Sequence, residues 1–407
     1  MALMSILIEP GAASAGSKPL MVYYMPWFVA KPHSREWGWH WTMDHFNPEV
    51  ITASGERQLA SWYYPMIGPY DSADPVVLEY HVLLMKLAGI DGVIVDWYGA
   101  DDYLDYEANN ERTMAIFEYA RKAGLKFCLC YEDRTIQQEI SGGFISATNA
   151  IAHAQQTLRR VESNYFGDPC YLRLKSRPVL LNFGPQYFKR SSQWEEIFSA
   201  LSEPPAFFTE DNRLPVGVGA FDWPPMWLSQ APGTGGVLSS GALQGYLTGF
   251  QESATAWPAF ISSAFPRFHD IYQKAGIRDY WGYLGDRGGD TLRETLRRAL
   301  TNKSAFAQIV TWNDYGEGTV VEPTVENGYR DLGIIQEMRK QHLEPGFRNG
   351  TNELALARRV YDLRRRHNGN AKIASRLDEV FLKICTNDLV SAMNALGTME
   401  SEFSAKR

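Results

Sequence analysis

At 407 residues the chain is long enough for one large domain or two to three smaller ones. Its composition, 45% hydrophobic and 21% charged with a net charge of −7, is that of a soluble globular protein. The mildly acidic balance argues against nucleic acid or an anionic membrane as the main partner, and no apolar stretch reaches the length of a membrane span. Residues 1–19 lack a basic start and a long apolar run, so no signal peptide is expected. The expected location is cytoplasmic, or secreted or periplasmic if a leader has been removed.

Short β-prone apolar runs then alternate with helical patterns. Strands are expected over 20–25, 90–97, 126–132 and 177–183, then, more weakly, over 206–209, 216–221 and 259–263, and finally over 306–313. Helices are expected over 75–89, 106–124 and 146–163. About eight strands separated by helices is the order of a (β/α)8 TIM-type barrel. A doubly wound sheet would also alternate, but no Gly-rich dinucleotide or phosphate loop follows the early strands. The barrel is assigned to residues 1–344 and an appended C-terminal helical extension to 345–407, with helices over 352–368 and 371–396. The first of these is rich in arginine (Arg358, Arg359, Arg364, Arg365, Arg366), either as a basic patch or as a solvated face interspersed with Glu353 and Asp362.

Four cysteines are too few for a disulfide scaffold. Cys128 and Cys130 alternate on one strand, and all four read as reduced thiols. No Cys/His cluster has zinc spacing. Aromatic residues are abundant, with 12 Trp, 21 Tyr and 20 Phe, and many fall in Gly/Pro-rich loops. They suit either a binding surface or rigid loop packing.

Polar or aromatic residues directly follow the apolar runs at Asp96-Trp97, Glu132, Asn182, Asp222 and Asn313-Asp314, where a barrel gathers its active site. The last segment, Trp312-Asn313-Asp314-Tyr315-Gly316-Glu317, sets two acids three residues apart between aromatics. Gly316 eases a turn that brings their Cα atoms within about 7 Å. Glycoside hydrolysis needs such a pair: one carboxyl to protonate the leaving oxygen, the other to act as base or nucleophile. An Asx-type turn with a solvated glutamate fits the same residues.

Three segments, together with Trp312 through Pro323, resemble the glycoside hydrolase family 99 and 71 group, the endo-α-mannosidases and endo-α-1,3-glucanases. They are Tyr23-Tyr24-Met25-Pro26-Trp27, the stretch from Tyr63-Tyr64-Pro65 to Asp74-Pro75, and the run from Ala88-Gly89-Ile90 through Asp96-Trp97-Tyr98-Gly99. Trp312 to Glu317 is similar to family 71, whereas Glu317-Gly318-Thr319 with Glu322-Pro323 is similar to family 99, which usually carries Glu where Asp314 stands. The resemblance implies an enzyme that cleaves an α-linked oligo- or polysaccharide, with Glu317 as general acid, Asp314 as general base and no metal or organic cofactor. It also implies that Trp97 lines the subsite next to the cleaved bond. Tyr24 and Trp27 are read as sugar contacts or core aromatics, and Trp37-Gly38-Trp39-His40-Trp41 as a carbohydrate platform or a loop anchor, with Trp41 its candidate contact. Asp96 is read as a sugar ligand or a cap. Glu132, Asp222, Asp270, Asn313 and Tyr315 complete the substrate-binding candidates. Two alternatives remain at this point: a catalytically silent carbohydrate-binding barrel and a glycosyltransferase-like biosynthetic protein.

Overall fold

The computed structural model describes residues 18–404, so the reading of the first residues as lacking a leader lies outside the described residues. Eight strands form one closed parallel sheet: β1 (Leu20–Tyr24), β2 (Gly92–Trp97), β3 (Lys126–Tyr131), β4 (Arg177–Asn182), β5 (Ala206–Glu210), β6 (Gly219–Phe221), β7 (Ile261–Ala264) and β8 (Phe306–Ile309). Each pairs with its neighbour in chain order, and Leu20 opposite Ala307 joins β1 to β8 and closes the barrel. The strands are buried along almost their whole length, which is why they read as continuous apolar runs rather than alternating ones.

The outer ring contains α1 (Pro75–Ala88), α2 (Tyr106–Lys122), α3 (Arg134–Ser141), α4 (Ala150–Val161), α5 (Ser191–Phe198), α6 (Ser240–Ala254), α7 (Asp290–Thr301) and α8 (Arg330–His342). Its local signals are strong in places. Asp74 caps α1 by accepting from Val76 N at 2.9 Å, with Pro75 in the first turn and Gly89 at φ 79° behind the end.

Three expectations are corrected. β8 stops at Ile309 rather than 313, because Thr311 N already bonds back to Thr319 O at 2.9 Å and the chain has entered a loop. β5 and β6 are joined by residues 211–218 with no helix between them, and β6 is confined to three residues after the Leu214–Gly217 turn. The single helix expected over 371–396 is two, α10 (Ala371–Cys385) and α11 (Leu389–Ser404). Asn387 breaks it at φ 63°, a conformation Asn tolerates better than most residues.

Four of the five arginines singled out in α9 (Thr351–Arg366) are paired with carboxylates. Arg359 binds Glu400, Arg358 binds Asp362, and Arg365 binds Asp74. Arg364 grips buried Glu79 of α1 with both Nε (2.9 Å) and Nη2 (2.7 Å) and also reaches Asp378 of α10 at 2.6 Å. Arg364 and Arg365 thus fasten α9 to the barrel, while Arg359–Glu400 and Arg364–Asp378 tie the C-terminal helices to one another. Arg364→Ala leaves the Glu79 carboxylate buried and unpaired, so urea unfolding should show a loss of about 3–5 kcal/mol. A loss under about 1 kcal/mol, the worth of an exposed pair, would mean that the contact carries no load.

Candidate active site

The C-terminal ends of the strands open into a cleft of about 950 Å³. In a strand successive side chains point to opposite faces, and that alternation decides which residues enter it. From β1, Tyr23 faces the cleft; from the end of β2, Asp96 and then Tyr98; after β3, Glu132; after β6, Trp223; and after β8, Asp314 and Glu317.

The loop carrying the acid pair is tightly fixed. Thr311 Oγ1 accepts from Asp314 N and lies 2.9 Å from Thr319 Oγ1, closing the loop across its neck. Asp314 Oδ1 accepts from Glu317 N at 2.9 Å. The Asx-type turn and the acid pair are therefore the same structure: the turn holds Asp314 while both side chains still line the cleft. The residue that needs a left-handed backbone is Gly318 (φ 68°), not Gly316, and a Cβ there would come within 2.5 Å of His269 O. His269 N and Ile271 N bond to the carbonyls of Glu317 and Gly316, buttressing the loop from outside.

Beneath the pair lies a buried polar network. Glu322 accepts from Tyr70 at 2.7 Å and Tyr315 at 3.0 Å and meets His81 Nε2 at 3.0 Å, while His81 Nδ1 meets Tyr24 Oη at 3.1 Å. Asn313 accepts from Met25 N and donates to Met25 O and Tyr70 Oη, tying the loop to the end of β1.

Burial sets the electrostatics. It pushes the Asp314 carboxyl up to about 6, against the pull of the backbone N–H groups of Glu317 and Gly316. Glu317 is driven well above the usual carboxylate range, first by burial and then by the Asp314 charge, with Arg278 (Nη2 to Oε1 3.9 Å) opposing. One acid is thus poised to ionise near neutrality and its neighbour to keep its proton, the split that acid–base catalysis uses. Burial also raises Glu132 to about 7 and raises Asp96, which accepts from Tyr23 Oη at 2.8 Å and has its other oxygen unpartnered.

Of the residues singled out in the sequence, the cleft gathers Trp27, Asp96, Glu132, Asp314 and Glu317. The structure places the other seven elsewhere. Tyr24, Asn313 and Tyr315 belong to the buried network. Trp41 is fully buried with Nε1 on Tyr70 O. Trp97 points out of the barrel toward Asn110. Asp222 accepts from Ser263 N at 2.7 Å, tying β6 to β7, and Asp270 accepts from Tyr272 N. Within the tryptophan cluster, Trp39 is 43% exposed and lines the cleft, and His40 covers one face of Trp27 (centroids 4.1 Å apart). Sequence reasoning placed Tyr98 and Trp223 in strand-end segments without naming them as contacts, and missed Tyr23 and Arg278. Strand parity was available for Tyr23 and Tyr98, one residue from Tyr24 and Trp97. Arg278 comes from a long aperiodic loop and left no signal.

Comparisons with known proteins agree with this architecture. Glycosyl hydrolase family 99 matches residues 17–206, a span that ends before the acid pair. A mouse glycoprotein endo-α-1,2-mannosidase-like protein is 24% identical over 347 residues, covering 75% of this chain and 69% of that protein, and its human counterpart is equally similar. The mouse glycoprotein endo-α-1,2-mannosidase is 23% identical with similar coverage. The endo-α-mannosidase structure from Bacteroides thetaiotaomicron shares the fold, with a TM-score of 0.56 and 18% identity, over 79% of this chain and 97% of that one. The chain is similar to glycoside hydrolase family 99 over residues 17–206 and folds as a (β/α)8 barrel.

Proposed function

We propose that this glycoside hydrolase cleaves an α-linked glycan of the α-mannan type within the chain, with Glu317 as general acid and Asp314 as general base. The observation that carries the reading is the single turn after β8. It presents two carboxyl groups to one cleft and biases them toward opposite protonation states. Glu317 gives its proton to the departing glycosidic oxygen. Asp314, ionised and held at Oδ1 by Glu317 N, takes a proton from the attacking hydroxyl or water. The aromatic walls suit sugar rings: Trp39 offers an exposed face, with Tyr98 and Trp223 deeper in. Asp96 and Glu132, both shifted toward their neutral forms, can donate hydrogen bonds to sugar hydroxyls as well as accept them. The substrate class follows the relatives, which are named as endo-α-1,2-mannosidases.

The test is reducing-end release from a panel of α-mannans and α-glucans, with products sized. Oligosaccharides released from an α-mannan are expected. Binding without release across the panel would leave a silent binding barrel, and release confined to α-glucan would move the substrate assignment.

A further inference from the structure

Asp101, Glu139 and His153 come from three separate elements, the loop after β2, the end of α3 and the middle of α4. Their Asp101 Oδ2, Glu139 Oε2 and His153 Nε2 atoms all lie within 4.8 Å of one another. His153 Nε2 is 3.1 Å from Asp101 Oδ2 and 3.2 Å from Glu139 Oε2. An imidazole nitrogen holds at most one proton, so a single N–H faces two carboxylate oxygens. Asp101 has further support, since its Oδ1 accepts from Arg160 Nη1 at 2.9 Å. Glu139 has none. Its residue is 2% exposed, and Oε2, aimed at the centre of the trio, is buried with no well-aligned hydrogen bond, its only neighbouring donor being the His153 N–H contested by Asp101. A buried carboxylate oxygen left in this way is costly.

We propose that Asp101, Glu139 and His153 form a binding site for a divalent transition-metal ion of the zinc type. Two ligands at about 2.0–2.1 Å from a tetrahedral zinc stand about 3.3 Å apart, close to the two spacings seen from His153 Nε2. One imidazole with two carboxylates suits zinc better than calcium, which takes oxygen ligands at longer range. The ion would satisfy the orphaned Glu139 oxygen, and Arg160 would orient the Asp101 carboxylate from behind. Without a metal, a protonated His153, pushed up to about 9 by Asp101 and Glu139, balances the charge, so the ion competes with that proton.

The site serves the rim of the cleft rather than its chemistry. Gln138, beside Glu139, lines the cleft and accepts from Tyr106 Oη at 2.5 Å, and Leu104 and Asp105 follow Asp101 on the same rim. A bound ion would pin the loop after β2 to α3 and α4.

Calorimetric titration of EDTA-stripped, dialysed full-length protein with Zn²⁺ alone tests this. One site per chain with a micromolar or tighter Kd is expected, weakened at least tenfold in Asp101→Asn and in His153→Ala, with little heat from Ca²⁺. The near-isosteric Asp101→Asn guards against misfolding of the alanine variant, and circular dichroism should show both folded. Absence of a stoichiometric site, or equal affinity in the folded variants, would leave the trio a protonated histidine between two carboxylates only.

Discussion

Glu317→Gln is expected to lower kcat/KM on an unactivated α-mannan by about 10²–10⁴-fold, the usual worth of one positioned proton donor. Glutamine keeps the shape of the side chain, and the loop around it is held by backbone contacts that do not involve the carboxyl: Glu317 N to Asp314 Oδ1, and His269 N to Glu317 O. The loss should therefore fall on kcat, with thermal stability little changed. Glu317 is partly buried beside Asp314 and keeps its proton there, and the amide preserves that neutral state, so the variant has no reason to unfold. An unchanged rate would remove Glu317 from the chemistry.

Asp314→Asn should cost a similar factor for a different reason: the base, not the acid, is lost. Its signature is in the pH profile. Asp314 works ionised and its carboxyl sits at about 6, so activity should rise as pH climbs through that value. It should fall again at higher pH as Glu317 loses its proton. In Asp314→Asn the residual rate should lack the acid limb near 6. Retention of that limb would assign it to another cleft carboxyl, of which Glu132, raised to about 7, is nearest in range.

Most of the barrel was legible because a strand buried on both faces needs an unbroken apolar run, and most of the eight runs are separated by helical segments. The misreadings have local physical causes. β8 was drawn too long because Val310-Thr311-Trp312 is as β-prone as the strand before it, and only the Thr311–Thr319 pairing shows that the chain has already turned. The break at Asn387 depends on one residue adopting a left-handed backbone, which leaves little trace in a helical pattern.

The site was legible in part for the same kind of reason. Acids after strands are visible in sequence, but which face they take depends on register. Asp96 and Trp97 are adjacent, yet one enters the cleft and the other the outer layer. Asp222 looks like a mouth acid in sequence and is used as a tie between strands, because a carboxylate can accept the free N–H of Ser263 where β6 ends. Arg278 stacks over Tyr272 and Trp281 at the rim, and only the fold of residues 265–289 brings it to Glu317.

The role of Glu317 can be isolated by comparing two substrates in one variant. The wild-type enzyme and Glu317→Gln would be assayed on an α-mannoside with a natural sugar leaving group and on one with a strongly acidic phenol, which departs without protonation. The account predicts a loss of about 10²–10⁴-fold on the first and a much smaller loss on the second. Equal losses on both would contradict Glu317 as the general acid, and with it the central assignment of the turn after β8.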